Sequence, residues 1–296
     1  MKIRNVKVPE GINVSKHRPL ADLFVLTAGA IGVFLALGLL AFLIGAYGGR
    51  YLPMSWENAL AASVFEGEES VDAAAGSDEE IAAAARDRGI EAALQALADR
   101  MTANMDLPDD LHITVHYLDE PDINAFATLG GHVFVLRGLI ERVPHENALA
   151  MVMAHEIAHA ANRDVAANMG GALLLQLVLA TVTGMSPETA DGLIWGPNAL
   201  LLRQFSREAE SRADRAALAA VAAEYGHIAG ADAFFRIMLD ETGETLPEQG
   251  PEFLSTHPLT AGRIEALGAL AEERGWSRDG PVQPLPELLK ELDPAD

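Results

Sequence analysis

Residues 149–160 read LAMVMAHEIAHA, and His155-Glu156-Ile157-Ala158-His159 inside that run decides how the rest of the chain is read. Side chains four apart on a helix lie one above the other, so His155 and His159 can grip one metal ion while Glu156 points toward its open coordination position. The residues before the motif are apolar and contain no helix breaker, so the motif sits in a continuous helix whose pattern opens near Pro144, a favourable place for proline. A catalytic zinc needs a third protein ligand and one open site. Glu210, in the stretch SREAESRAD at 206–214, is the strongest candidate, and Asp214 one turn later is placed to accept a hydrogen bond from a ligand histidine and fix its tautomer. Glu208 is the rival; it lies on another face and has Arg212 four residues on, a surface ion-pair spacing. As the alternative to all of this, the charges of 206–214 clothe a solvated helix.

Upstream, residues 23–49 run for 27 residues without a charge, Asn or Gln. At about 1.5 Å per helical residue such a run crosses a hydrocarbon layer of about 30 Å. A cleaved signal peptide has a shorter apolar core, and a buried soluble helix is the other competing reading. Lys2, Arg4, Lys7, Lys16 and Arg18 precede the run, and acids dominate after it; residues 1–49 carry +3 and residues 50–296 carry −25 of the total −22. The positive-inside rule then puts the N-terminus in the cytoplasm, with a single pass through the cell membrane and the large remainder extracytoplasmic. The opposite orientation gains weight if the second apolar run, residues 165–185, also spans. A domain this acidic is a poor nucleic-acid binder. No cysteine occurs in the 296 residues, so there are no disulfides and no Cys nucleophile, and any metal site must be built from His and carboxylates.

The expected fold class is α+β: a mainly helical zinc-peptidase-type domain with a small edge β-sheet, plus one N-terminal transmembrane helix. Along the chain the parts are a cytoplasmic arm (1–22), the anchor (23–49), a linker (50–77), a domain over 78–275 with an apolar helical hairpin inserted at 165–202, and a Pro-rich tail (276–296). The helix opening near Asp78 is expected to run to about Met105 with a break near Gly89, and residues 247–258 read as loop. Residues 111–118 (LHITVHYL) form a strand, followed by strand-like segments either side of Gly130-Gly131. His112, His132 and His145 have no partner spacing and are read as surface residues; His116 shares the face of His112 without forming a second metal site.

Taken together, Asn124-Ala125-Phe126, Gly130-Gly131, Val135 with Gly138-Leu139, the 155–159 motif, the 206–214 stretch, and Ser255-Thr256-His257-Pro258 with Arg263 resemble the gluzincin metallopeptidases. That family includes the heat-shock membrane protease HtpX, the CAAX prenyl protease and periplasmic assembly-quality-control proteases, and the resemblance covers roughly residues 111–269. It implies one zinc ion per chain on His155, His159 and Glu210, with Glu156 as general base and Asp214 supporting a histidine. Arg263 then holds Glu210, Asp214 or the nearby loop. It further implies that Asn124, Ala125, Phe126, Gly130 and Gly131 form an edge strand that holds a peptide by main-chain pairing. His257 approaches the open metal position as a donor or a gate; otherwise it is a loop histidine capping the helix after it. Leu129 stands where that family usually has proline, which bears on the local turn. The expected function is a membrane-anchored zinc-dependent endopeptidase acting on unfolded, damaged or precursor polypeptides near the membrane. The bilayer is its other partner, through 23–49 and, in one reading, 165–185. The alternative is a chaperone or membrane-protein assembly factor whose zinc site is gated or rarely used.

Overall fold

The computed structural model describes residues 19–51, 53–65, 78–168, 170, 205–242 and 252–292. The expected arm before residue 19, residues 66–77 of the expected linker and the apolar insert beyond residue 170 therefore lie outside the described residues.

Helix α1 (Pro19–Gly48) carries the first apolar run, and its side chains are exposed along almost its whole length. Among the described residues it is the helix long and apolar enough to cross a membrane, over 20–45. A turn at Gly49–Tyr51 leads into α2 (Met54–Phe65). This corrects the linker expected at 50–77: residues 54–65 are helical, and α2 packs against the turn at Leu129–Gly131. Its sequence carries weak helix signals, so the docking of Met54, Glu57 and Ala61, all buried, is what holds it.

Helix α3 (Asp78–Thr102) runs unbroken through Gly89, burying Ile90, Leu94 and Met101. A three-stranded sheet follows, in the order β1 (Thr114–Leu118), β3 (His132–Leu136), β2 (Ala125–Ala127). Strand β1 pairs parallel with β3, with Thr114 opposite His132, and β2 pairs antiparallel with β3, with Phe126 opposite Phe134. One face, with Val115, Tyr117, Val133 and Val135, enters the core; the other stacks His116, Phe134 and Phe126. Between β2 and β3, Gly131 has φ +83° and an added Cβ would lie 2.2 Å from the His112 carbonyl oxygen, so only glycine fits.

After α4 (Arg137–Arg142), helix α5 (Glu146–Ala161) starts two residues past Pro144, with the His145 ring accepting the Ala148 N–H at its N-cap. Every residue from Glu146 to Ala160 is buried, so α5 is covered on all sides. Its largest helix partner is α6 (Arg207–Tyr225), with the sheet and α3 against its other faces. Each fully buried Leu or Met on α5, such as Leu149, Met151 and Met153, contributes about 1.5–3 kcal/mol. That rigid setting fixes the polar residues of the same helix. Helix α7 (Ala233–Thr242) buries Phe234 and Phe235. The segment read as loop holds a short helix, α8 (Glu252–Thr256), held through buried Phe253. Helix α9 (Ala261–Arg274) is capped by Thr260 and ended by Gly275, and α10 (Glu287–Lys290) lies in the tail.

Candidate metal centre

Three segments converge at the middle of α5. Helix α5 supplies His155 and His159 from one face. Helix α6 begins at Ser206, whose side chain accepts the Ala209 N–H, and its first turns carry Glu210 and Asp214 inward. The residue after α8 is His257, its N–H bonded to Phe253 O and its ring stacked on the Phe253 ring. Glu208 is exposed, and Arg212 turns away from it to Asp164.

His155, His159, Glu210 and His257 form a buried four-donor cluster whose ligand atoms lie within 4.8 Å of one another. The Nε2 atoms of His155 and His159 are 3.1 Å apart, and His155 Nε2 is 3.3 Å from His257 Nδ1. Glu210 oxygens lie 3.5 Å from His155 Nε2, 3.4 Å from His159 Nε2 and 3.0 Å from His257 Nδ1. Zinc bonds of about 2.0–2.1 Å to nitrogen or oxygen in a tetrahedron separate neighbouring donors by about 3.3–3.4 Å. The donor types and these edges therefore fit a tetrahedral zinc ion, and His257 completes the set of four.

Each α5 histidine is backed by an aspartate, and each aspartate by an arginine. His155 Nδ1 is 3.1 Å from Asp214 Oδ1, an ion-pair contact. Asp214 in turn accepts both Nε (2.9 Å) and Nη2 (2.7 Å) of Arg263. His159 Nδ1 meets Asp164 Oδ2 at 3.1 Å, and Asp164 Oδ1 accepts from Arg212 at 2.8 Å. Arg263 Nη1 also reaches Glu210 Oε2 (2.6 Å) and the Pro258 carbonyl (3.2 Å), so this one side chain meets all three of its expected partners. Phe205 stacks on the His159 ring, centroids 3.9 Å apart.

The electrostatics follow from this packing. Burial, the largest influence on His155, opposes its charge, but hydrogen bonding to Asp214 and Glu210 outweighs it and pushes the pKa up to about 10. Burial likewise works against ionised Glu210 and Asp214, yet the histidines around Glu210, and His155 with Arg263 around Asp214, hold both below the ordinary carboxylate range. His257 is lowered, chiefly by burial. The cluster therefore keeps its carboxylates ionised, as a cation site requires.

Glu156 Oε2 accepts the Ala127 N–H at 3.2 Å, and Oε1 lies 3.4 Å from His257 Nε2. The bonds Thr128 N→His132 O and Leu136 N→Asn124 O turn the even-numbered residues of β2 toward β3, so the main chain of Ala125 and Ala127 faces the free edge. Asn124 is buried, and Phe126 pairs inward. Gly130 and Gly131 belong to the turn leading into β3 and pack against α2 and His112, so they do not extend the edge as expected.

Asp164 and Phe205 escape the sequence reading, and Arg212, read as an ion-pair partner of Glu208, binds Asp164 instead. Asp164 had one local signal, an acid three residues past the end of an apolar helix and directly before another apolar run. His132, read as partnerless, meets His116 at 2.8 Å (Nδ1 to Nε2), because parallel pairing puts the two on one sheet face.

Residues 89–271 match the sequence model of peptidase family M48. The chain belongs to peptidase family M48. Its helical domain with a small mixed sheet is the zinc-peptidase fold of that family, and zinc is the cofactor that suits the four-donor cluster. Similar proteins include the mitochondrial metalloendopeptidase OMA1 of Bos taurus, 33% identical over 181 residues, or 56% of this chain and 34% of that protein. OMA1 of Saccharomyces cerevisiae is 31% identical over 175 residues, covering 54% of this chain and 48% of its own. The beta-barrel assembly-enhancing protease of Escherichia coli is 28% identical over 166 residues, covering 50% and 32%. The shared region thus spans about a third to a half of these M48 relatives.

Proposed function

We propose that this M48 chain is a membrane-anchored zinc metalloendopeptidase that cleaves unfolded, damaged or precursor polypeptides close to the bilayer. The observation that carries the reading is the juxtaposition of the His155, His159 and Glu210 donors with Glu156, whose carboxylate also touches the free edge of β2. When bound there, zinc supplies Lewis-acid polarisation of a carbonyl and acidifies a water toward a pKa of about 7. The residues do the rest. Ala125 and Ala127 offer main-chain groups to an extended peptide. The Ala127 N–H fixes one oxygen of Glu156, leaving Oε1 to take the water proton and deliver it to the leaving amine. Asp214 and Asp164 hold the two imidazoles in the tautomer that ligates through Nε2.

His257 has a different part. Four protein donors make a closed site, whereas a catalytic zinc keeps one place open. His257, carried on the loop after α8, is therefore a gate that withdraws when substrate binds. The same closure favours a second reading, an assembly factor or chaperone with a gated zinc site. The charge asymmetry around α1 supports a cytoplasmic N-terminus and an extracytoplasmic active site; a reporter fused after residue 296 and read by compartment-specific labelling tests this.

The deciding experiment compares wild type and Glu156→Gln in detergent on an unfolded protein substrate. Glu156→Gln is expected to keep zinc and fold while losing nearly all turnover. Equal cleavage by both would refute the base assignment, and equal suppression of aggregation without cleavage would favour the second reading.

A further inference from the structure

Directly after α5 the chain makes a tight turn at Asn162–Asp164, and adjacent side chains of that turn serve two different masters. Asp164 backs the His159 ring and binds Arg212. Arg163, its neighbour, points to α2, where its Nη2 lies 2.5 Å from Glu57 Oε1; the side chains are 15% and 8% exposed. Arg163 has φ +60°, a conformation that a residue with a Cβ rarely adopts and that lasts only where its surroundings hold it. Glu57 is pinned in turn. Burial raises its pKa, and Arg163 together with the Gly130 backbone N–H counters that by binding its carboxylate. Gly130 belongs to the turn between the edge strand and β3 against which α2 packs.

A second, independent contact ties the same region to the anchor. A Cβ on Gly49, at the end of α1, would lie 2.4 Å from the Ala166 carbonyl oxygen, and one on Gly170 would lie 2.9 Å from Gly45 O. The end of the membrane helix thus packs backbone to backbone on the two turns of chain that follow Asp164.

We propose that Glu57 and Arg163 are positioning residues for the metal centre, fixing the 162–164 turn so that Asp164 stays on the zinc ligand His159. On this view the segment after the membrane helix is a structural part of the site as well as a tether. The inference rests on the reading of His155, His159 and Glu210 as zinc ligands. A purely structural ion pair would lower stability and leave the metal centre alone; a positioning pair changes how the metal is held.

The test uses the full zinc-loaded chain in detergent micelles and measures zinc release to a chelator, together with the thermal midpoint of the metal-free protein. Partners that touch a ligand histidine typically alter metal affinity about 10–100-fold; Glu57→Gln acts one step further out, and release about 3–10-fold faster is expected. Arg163→Gln should match it. Arg137→Gln, which breaks the Asp119 and Glu141 contacts on another part of the surface, serves as a stability control and should release zinc at the wild-type rate. In an Asp164→Ala background, Glu57→Gln should have no further effect, because the path through Asp164 is already cut. Release within twofold of wild type for Glu57→Gln, equal acceleration in Arg137→Gln, or additive effects with Asp164→Ala would each overturn the proposal. A wild-type protein that binds no zinc would instead sink the underlying site reading.

Discussion

Replacing Asp164 by alanine removes one carboxylate that faces both His159 Nδ1, at 3.1 Å, and Arg212, at 2.8 Å. The two losses differ in weight. Arg212 has a side chain 32% exposed and can turn to water, whereas His159 is fully buried and its ring N–H would face no acceptor. Leaving a buried donor unpaired costs about 1–3 kcal/mol, and 1.4 kcal/mol is about tenfold in an equilibrium constant, so zinc affinity should fall about 10–100-fold. The ring also gains freedom to flip, restrained only by the stacked Phe205. Asp164→Asn should be intermediate, since its oxygen can still accept from His159 while its amide faces Arg212. Arg212→Gln should be mildest. Competition against a chelator of known affinity gives the order directly, and unfolding of the metal-free variants separates loss of fold from loss of ligand orientation. If Asp164→Ala binds zinc as tightly as wild type, the Asp164–His159 contact does not orient the ligand.

Zinc affinity should also rise with pH. With the His155 pKa pushed up to about 10 in the metal-free protein, zinc must displace a proton at neutral pH, so affinity gains about tenfold per unit while Glu210, already ionised, contributes none. Calorimetry in two buffers of different ionisation enthalpy should register at least one proton released per zinc; none released would refute this. Gly131→Ala should cost clearly more stability than Gly226→Ala. Both have φ near +80°, worth about 1–2 kcal/mol to a residue with a Cβ, but only at Gly131 does the new methyl meet backbone, 2.2 Å from His112 O; equal shifts in thermal midpoint would contradict the packing. His257→Ala should leave zinc bound and raise turnover of short unstructured peptides several-fold, and a fall in turnover would make His257 a participant in the chemistry instead of a gate.

The parts of the site legible in the sequence are those set by helical period. His155 and His159, and Glu210 and Asp214, are each one turn apart on a single helix, and a single helix needs no knowledge of its neighbours. Arg263 was legible as a partner for the acids, though not as one residue reaching Glu210, Asp214 and Pro258 at once. What depends on turns was not legible. Asp164 reaches His159 from a turn in which Arg163 takes a left-handed conformation, and nothing in the composition of Asn162-Arg163-Asp164 announces that. Helix α2 was hidden for a related reason: Met54–Phe65 has little pattern of its own and is ordered by the surface it meets. The double glycine was read as part of the edge strand, whereas Gly131 is needed for close approach to His112.

The contacts of Arg263 also bear on the proposed gating by His257, because they differ between the helices and the loop. Its bonds to Asp214 are a bidentate pair between charged, largely buried partners at 2.7 and 2.9 Å, and it meets Glu210 at 2.6 Å. Its bond to the Pro258 carbonyl is to a neutral acceptor at 3.2 Å. Arg263 meets opposite charge at Asp214 and Glu210 but only a neutral oxygen, at longer range, at Pro258, so the loop contact is the weakest that this arginine makes. In the proposed gating, His257 and Pro258 would leave together, while Asp214 would stay on His155 and Glu210 in place. The ligands from α5 and α6 are thus held by buried charge on rigid helices, whereas the fourth donor sits on a loop that meets this arginine only through the neutral Pro258 carbonyl, beside its own contacts to Phe253 and Glu210.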